Sequence, residues 1–193
     1  MNISNSIKYL IANYHDINPD IINEDIEIEI WNHKKMKLSL NNHNIKYFKK
    51  PKDITVIEIK NSDEIYKDIK FLDYDNNYKN GYEIYNNIDV FFINHPLGKS
   101  VECARGKIKK INDYEFEDNI STDNDSSGCP IMLLNDNINL IQVIGIHKIS
   151  DKSKKVNGGI FIGEIFKELN NDLINNKIKD NYIISEIIIE DND

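Results

Sequence analysis

The sequence is poor in cysteine, proline and glycine, and each shortage excludes a class of protein. Only two cysteines occur in 193 residues, which excludes a disulfide-rich scaffold and fits a reducing compartment or one with no need for disulfide bridges. We find no internal repeat and no segment rich enough in Gly, Pro or Ser to mark a flexible joint. No apolar run approaches the ~20 residues of a transmembrane helix, and the polar residues 1–8 lack the apolar core of a secretory signal. These absences predict an intracellular protein with no membrane association.

Positive charge is also in short supply. The chain has 24 Lys and Arg against 32 Asp and Glu, for a net charge of -8 at pH 7, and its basic pairs are short and scattered. Because phosphate binding needs a clustered basic surface, nucleic acid is not expected as a partner. No group of His, Cys and carboxylate residues has the spacing of metal ligands, so we predict no metal site. No cofactor is expected. The oligomeric state is not predicted.

What the sequence does contain is a series of short segments with the period of β-strands. Residues 25–31 (DIEIEIW) alternate strictly between polar and apolar side chains, which is typical of a half-buried strand. Short strands with turn signals between them predict an all-β barrel or sandwich. Further strands are predicted over 7–13, 36–40, 54–59, 88–93, 101–111, 130–134, 140–147 and 159–162.

One segment has a helical period instead. From Gly163 to about Ile178 the apolar residues recur at the spacing of an amphipathic helix, and residues 182–190 (YIISEIIIE) indicate a further strand or an apolar tail. A boundary between two packed subdomains is expected around 72–86, where Asp, Asn and Tyr dominate. We therefore divide the chain into residues 1–75, residues 76–180 and an extension over 181–193.

A candidate nucleophile lies in the segment 125–130 (DSSGCP). Ser127 is flanked by a small residue on each side, and the Gly and Pro that follow indicate a sharp turn into a strand. Such a turn exposes the hydroxyl and directs backbone N–H groups at one point, which can bind the oxyanion of a tetrahedral intermediate. Taken alone, the motif fits a simple loop equally well.

The segments around this motif resemble the C-terminal half of chymotrypsin-fold serine peptidases. In that family a G-x-S-G-x-P turn is followed by V-x-G-I-H or V-x-G-I-x, a G-x-x-F strand and a terminal helix. Here the turn is followed by residues 143–147 (VIGIH), residues 158–161 (GGIF) and the predicted helix, while residues 95–98 (HPLG) and 106–108 (GKI) are similar to the family's x-x-P-G and G-x-I. The resemblance, over about residues 7–175, implies two antiparallel β-barrels with a C-terminal helix and an active site in the cleft between the barrels.

The same resemblance implies a catalytic triad. The family's His ends an early strand in an L-T-x-x-H-V setting, which residues 10–17 (LIANYHDI) resemble, and its Asp opens a strand that residues 53–59 (DITVIEI) resemble. Ser127 would attack the substrate, His15 would transfer the proton, and Asp53 would orient the imidazole. Taken separately, each of these residues also fits a turn or a cap.

The pocket residues follow from the likeness to the glutamyl-endopeptidase branch. Ser121 stands six residues before Ser127, where trypsin-type enzymes have Asp, so specificity for Lys or Arg is disfavoured. Thr122 and His147 fall where glutamyl endopeptidases place a Thr and a His that hold the substrate carboxylate. We therefore expect a peptide or protein substrate cleaved after Glu or Asp, with a structural role as the alternative for His147.

The resemblance also implies an oxyanion hole formed by the backbone N–H groups of Asp125 and Ser127. Asp125 stands where the family has Gly. Only 14 residues precede His15, whereas typical members of the family have additional strands there. Either the N-terminal barrel is therefore open or the chain is a truncated product. The alternative function is a catalytically weak or inactive pseudoprotease that acts as a protein-binding module. A further alternative is an unrelated β-rich interaction domain.

The remaining histidines and Cys129 are interpreted as structural. His33 and His43 lie in polar, hairpin-like stretches and are predicted to be solvated, and His95 is assigned to a turn. Cys129 is followed by Pro and lies two positions beyond Ser127. We predict that it is a small buried residue rather than a nucleophile.

Overall fold

The protein is described from a computed structural model that covers residues 7–21, 25–30, 34–94, 101–121, 126–133, 141–151 and 156–179. These residues form twelve β-strands and two α-helices. The chain divides into two compact units, Met1–Leu72 and Asp73–Asp193. Four 3₁₀ helices connect strands, at Pro19–Ile21, Leu40–Asn42, Asn76–Asn80 and Tyr82–Tyr85.

The first unit contains two antiparallel sheets that share one apolar core. A three-stranded sheet has the order β1 (Lys8–Asn13), β5 (Ile54–Ile59) and β4 (Ile45–Phe48), and a hairpin joins β2 (Asp25–Glu29) to β3 (Lys35–Ser39). Because β5 has a partner on each side, five of its six residues are buried. The helix α1 (Glu64–Asp68) adds one residue to a core made of Met36, Leu38, Leu40, Ile57, Ile59 and Ile65.

The second unit is a closed antiparallel barrel of six strands. The ring runs through β10 (Pro130–Leu133), β7 (Asp89–Asn94), β8 (Glu102–Asn112), β9 (Glu115–Asp118), β12 (Val156–Phe161) and β11 (Gln142–Asp151), and β11 pairs back with β10. The two-residue strand β6 (Asp73–Tyr74) adds to β11 in parallel. The barrel is filled by alternating inward side chains, which include Val90, Phe92, Ile108, Phe116, Ile131, Ile144 and Phe161.

Two glycines make room for one aromatic ring inside the barrel. A Cβ atom on Gly145 or on Gly159 would lie 2.6 Å from the ring of Phe116, and on Gly159 it would also lie 2.3 Å from the carbonyl oxygen of Ile146. These distances are well inside van der Waals contact, so larger residues would displace the ring. Packing around Phe116 is therefore enough to explain why glycine occupies positions 145 and 159, in the VIGIH and GGIF segments, without any role in catalysis.

The all-β class and the terminal helix predicted from the sequence are confirmed. The helix α2 (Ile162–Lys179) begins one residue before the predicted start, and β5 has the predicted bounds. The short strands β4, β6 and β9 were not predicted, and residues 182–190 lie outside the described part of the chain. Within that part, no helix combines the length and the apolar character needed to cross a bilayer.

Candidate active site

The register of β1 against β5 brings His15 and Asp53 together. Asn13, the last residue of β1, pairs with Ile54, the first residue of β5. The pairing continues one step further, because the N–H of Tyr14 donates to the carbonyl oxygen of Asp53 at 3.0 Å. The buried side chain of Asn13 donates to the same carbonyl at 3.2 Å. Asp53 is therefore fixed beside the turn that carries His15.

The carboxylate of Asp53 contacts both the ring and the backbone of His15. Nδ1 of His15 lies 2.8 Å from Oδ2 of Asp53, and the His15 N–H donates to Oδ1 at 3.2 Å. The Asp53 side chain is 8% exposed, whereas the His15 side chain is 45% exposed. A carboxylate at Nδ1 favours the tautomer that carries its hydrogen there, which leaves the lone pair of Nε2 available as a base.

Asp53 also has an unusual backbone conformation. Its φ is 58°, in the left-handed region that most residues avoid and that Asp and Asn tolerate best. Its N–H donates to the carbonyl oxygen of Lys49 at 3.3 Å, so a turn and a central strand hold the residue from both sides. A conformation that is unfavourable in isolation, held in place at a candidate site, supports a functional role for this residue.

A second carboxylate lies near the other nitrogen of the same ring. Oδ2 of Asp16 lies 3.5 Å from Nε2 of His15, and the Asp16 side chain is 57% exposed. This contact is an ion pair only when the His15 ring is protonated. The sequence motif did not indicate this contact, because the family pattern has an apolar residue after its His.

Ser127 lies in a tight turn of the second unit. The carbonyl oxygen of Ser126 accepts a hydrogen bond from the N–H of Cys129 at 3.3 Å, which closes a four-residue turn over 126–129. Gly128 occupies the third position with a φ of 81°, the value that a type II turn requires and that favours glycine. Ser126 is buried, whereas Ser127 is exposed. The turn therefore presents Ser127 at the surface of its unit.

The strand residue His147 is bonded to this turn at two points. Its carbonyl oxygen accepts the N–H of Gly128 at 3.0 Å, and its own N–H donates to the carbonyl of Cys129 at 2.9 Å. The ring of His147 is buried and stacks on Phe92, with 6.1 Å between the ring centroids. Its Nδ1 has no hydrogen-bond partner among the described residues. Burial lowers the pKa of His147 to about 4, because the charged ring is poorly solvated, so the ring is neutral at pH 7.

The other predicted pocket and oxyanion residues are only partly described. Ser121 is exposed and follows the buried residue Ile120. Thr122 and Asp125 lie outside the described residues, as do His33 and His95. Of the pocket and oxyanion residues, the structure thus describes Ser121, Ser127 and His147.

The prediction that His43 is solvated is wrong. Its side chain is 6% exposed, and its Nε2 lies 2.9 Å from Oδ2 of Asp63. Asp63 in turn accepts the N–H of Lys60 at 2.6 Å. The partner lies 20 positions away in the chain, so the polar sequence around His43 carried no signal of this pair.

Cys129, predicted to be buried, is partly buried and packs against the barrel core. Burial raises the pKa of its thiol to about 11, so the thiol remains protonated at neutral pH and is a poor nucleophile. Nor do the described residues include a group of three or more His, Cys, Asp or Glu side chains placed to hold a metal ion.

The buried ring of His147 makes stability depend on pH. Unfolded histidine titrates near pH 6.5 and folded His147 near 4, so between these values the unfolded chain binds more protons. The free energy of unfolding therefore falls as the pH falls through this interval, by up to about 3 kcal/mol from this group. We expect His147→Gln to lack this part of the pH dependence when urea unfolding is measured between about pH 7 and about pH 4.

Asp118 provides a control of opposite sign. Burial raises the pKa of its carboxyl from 3.8 to about 6, so the folded chain binds more protons in that interval. This group adds stability as the pH falls, and Asp118→Asn should remove the gain. Stability should therefore fall more steeply with acid in Asp118→Asn than in the wild type, and less steeply in His147→Gln. Parallel curves for all three proteins would contradict both assignments.

Comparison with known proteins shows the fold of the chain. No protein-family model and no curated protein sequence matches it. Among solved structures, it is similar to the serine endoprotease from Yersinia pestis, with 16% identity, a TM-score of 0.58, and coverage of 84% of this chain and 53% of that one. It is also similar to a protein of M. tuberculosis solved in an inactive serine-to-alanine form, with 12% identity, a TM-score of 0.58, and coverage of 84% and 76%.

The chain thus spans about half the length of the Yersinia protein. Identities this low show the architecture alone. That architecture is the chymotrypsin type that the sequence motifs implied, with the closed second barrel and the C-terminal helix.

Proposed function

We propose that the chain is a serine endopeptidase, which hydrolyses peptide bonds of peptide or protein substrates through an acyl-enzyme. One observation carries the proposal: the buried carboxylate of Asp53 holds His15 by its Nδ1 at 2.8 Å and by its backbone N–H at 3.2 Å. This is the arrangement by which a carboxylate orients a general base. The fold adds support, since a solved serine endoprotease shares it.

In the proposed mechanism Ser127 is the nucleophile, and its meeting with His15 is part of the proposal. Oγ of Ser127 attacks the scissile carbonyl carbon while Nε2 of His15 takes its proton. The Asp53 carboxylate stabilises the imidazolium through Nδ1. The proton then passes to the leaving amine, and water hydrolyses the acyl-enzyme with the same base. No cofactor enters any of these steps.

We assign the oxyanion hole to the backbone N–H groups of Asp125 and Ser127. The hydrogen bonds of the turn support this choice, because the N–H of Gly128 already donates to His147 and the N–H of Cys129 to Ser126. The backbone N–H groups that precede Gly128 in the chain are therefore better candidates to bind the developing oxyanion. Each such donor contributes about 100- to 1000-fold to the rate.

The proposed specificity is cleavage after Glu or Asp. His147 supports this specificity for two reasons. Its backbone is hydrogen-bonded to both Gly128 and Cys129 beside the proposed nucleophile, and the buried Nδ1 of its ring has no partner among the described residues. A substrate carboxylate would accept a hydrogen bond from the neutral ring, with Thr122 as a second donor. Ser121 supplies no negative charge for a Lys or Arg side chain.

The proposal is tested by cleavage of a peptide library. We expect cuts after Glu and, more slowly, after Asp. In a matched pair of peptides, Glu should exceed the isosteric Gln in kcat/KM by about 10- to 100-fold, because Gln lacks the charge that strengthens the hydrogen bonds. Cuts after Arg or Phe would reject the specificity and retain the peptidase. A library that stays intact would reject the peptidase itself.

One contact favours the alternative function, a protein-binding module with little turnover. The carboxylate of Asp16 lies 3.5 Å from Nε2 of His15, the nitrogen that must receive the serine proton. A carboxylate that stays there favours a hydrogen on Nε2, which would prevent this nitrogen from taking the proton of Ser127. Under this alternative, peptides bind to the chain and are recovered uncut.

A further inference from the structure

A buried hydrogen bond connects the end of β7 to the residue that precedes Ser127. The side-chain Nδ2 of Asn94 donates to Oγ of Ser126 at 3.0 Å, across 32 positions of sequence. Asn94 is 6% exposed and Ser126 is 2% exposed. We propose that Asn94 is a positioning residue that fixes the nucleophile turn through Ser126, an inference that rests on the peptidase function proposed above.

The contact completes the support of the turn over 126–129. On the side that follows Ser127, the backbone of His147 holds Gly128 and Cys129 at 3.0 and 2.9 Å. On the side that precedes it, the bond from Asn94 restrains Ser126. With both flanks held, the exposed residue between them has a defined position, which nucleophilic attack requires because a misplacement of about 1 Å lowers the rate about 100-fold.

Asn94 is well placed for this role because it belongs to the barrel itself. It is the last residue of β7 and pairs with Glu102 of β8, so its backbone is set by the ladder of the closed ring. A strand holds a side chain more firmly than a loop does. The burial of both partners also strengthens the bond, since water does not compete for either group.

The first test is the kinetics of Asn94→Ala. We expect kcat and the rate of labelling by a fluorophosphonate to fall about tenfold with KM unchanged, because the lost bond alters the position of the nucleophile and no substrate contact. Ser126→Ala combined with Asn94→Ala should lower kcat no further than the more severe single change.

The matched control is Tyr85→Phe. It removes another buried side-chain hydrogen bond of the same unit, from the Tyr85 hydroxyl to Oδ2 of Asp75 at 2.6 Å. This variant should lose a similar amount of thermal stability and keep its kcat. If Asn94→Ala and Tyr85→Phe lower kcat equally, or if neither lowers it, Asn94 has no positioning role.

A second readout does not depend on activity. The N–H of Gly128 donates to His147, so its hydrogen exchange reports how firmly the turn is held. Asn94→Ala should speed this exchange about tenfold, and Tyr85→Phe should leave it unchanged. If exchange is faster in Asn94→Ala while the wild type neither cuts peptides nor reacts with the label, the proposed function is rejected and the role of Asn94 in the turn is retained. Unchanged exchange would overturn the inference, whatever the activity.

Discussion

Replacement of Ser127 by alanine should lower kcat by about a million-fold and abolish covalent labelling by a fluorophosphonate, since it removes the hydroxyl that forms the acyl-enzyme in the proposed mechanism. Ser127 is exposed in its turn, and the backbone bonds of the turn do not involve its side chain, so the variant should fold as the wild type does. Initial rates on the preferred peptide measure the first effect. Intact mass after labelling measures the second.

The control for this substitution is Ser62→Ala, which removes the hydroxyl of an exposed serine in the first unit. It should keep full activity and full labelling, and peptide mapping of the labelled wild type should place the adduct on Ser127. An adduct on another residue, or labelling that survives in Ser127→Ala, would reject this residue as the nucleophile.

The second large effect is expected from Asp53→Asn. The change keeps the size of the side chain, and Asn tolerates the left-handed backbone at this position as well as Asp does. The amide can donate a hydrogen bond to Nδ1, which shifts the ring hydrogen to Nε2 and removes the base, and it no longer stabilises the imidazolium. We expect kcat to fall by about 10⁴-fold with KM little changed.

The second His–Asp pair of the first unit offers a matched control. Asp63→Asn makes the same chemical change beside His43, where Oδ2 lies 2.9 Å from Nε2. It should lower the free energy of unfolding by about 1 to 3 kcal/mol without a comparable effect on kcat. Equal losses of kcat in Asp53→Asn and Asp63→Asn would mean that Asp53 acts through stability, and would remove it from the mechanism.

The parts of this molecule that could be predicted are those with a local signal. Alternation of polar and apolar residues predicted β2 and β5, and the helical period predicted α2. The candidate residues His15 and Asp53 could be identified because each stands at the end of such a segment. Their contact was implied only by resemblance, since the register of β1 against β5 joins residues 38 positions apart.

The parts that escaped prediction depend on short or distant pairings. The strands β4 and β9 have four residues each and β6 has two, which is too short for a period to be recognised. The pair of His43 with Asp63 and the bond from Asn94 to Ser126 join residues whose own surroundings look like ordinary turns. Nothing in a polar residue at the end of a strand indicates which distant group it will meet.

The shortest strand of the barrel unit has a consequence for the behaviour of the protein at high concentration. On β11, the pairing with β12 begins at Gly145, and β6 occupies the preceding positions at Gln142 and Val143. The N–H of Asp75 then donates to the carbonyl of Val143, which extends the cover. Unpaired strand edges recruit other chains and lead to aggregation. The two residues of β6 thus cover an edge of β11 that could otherwise pair with a strand of another molecule.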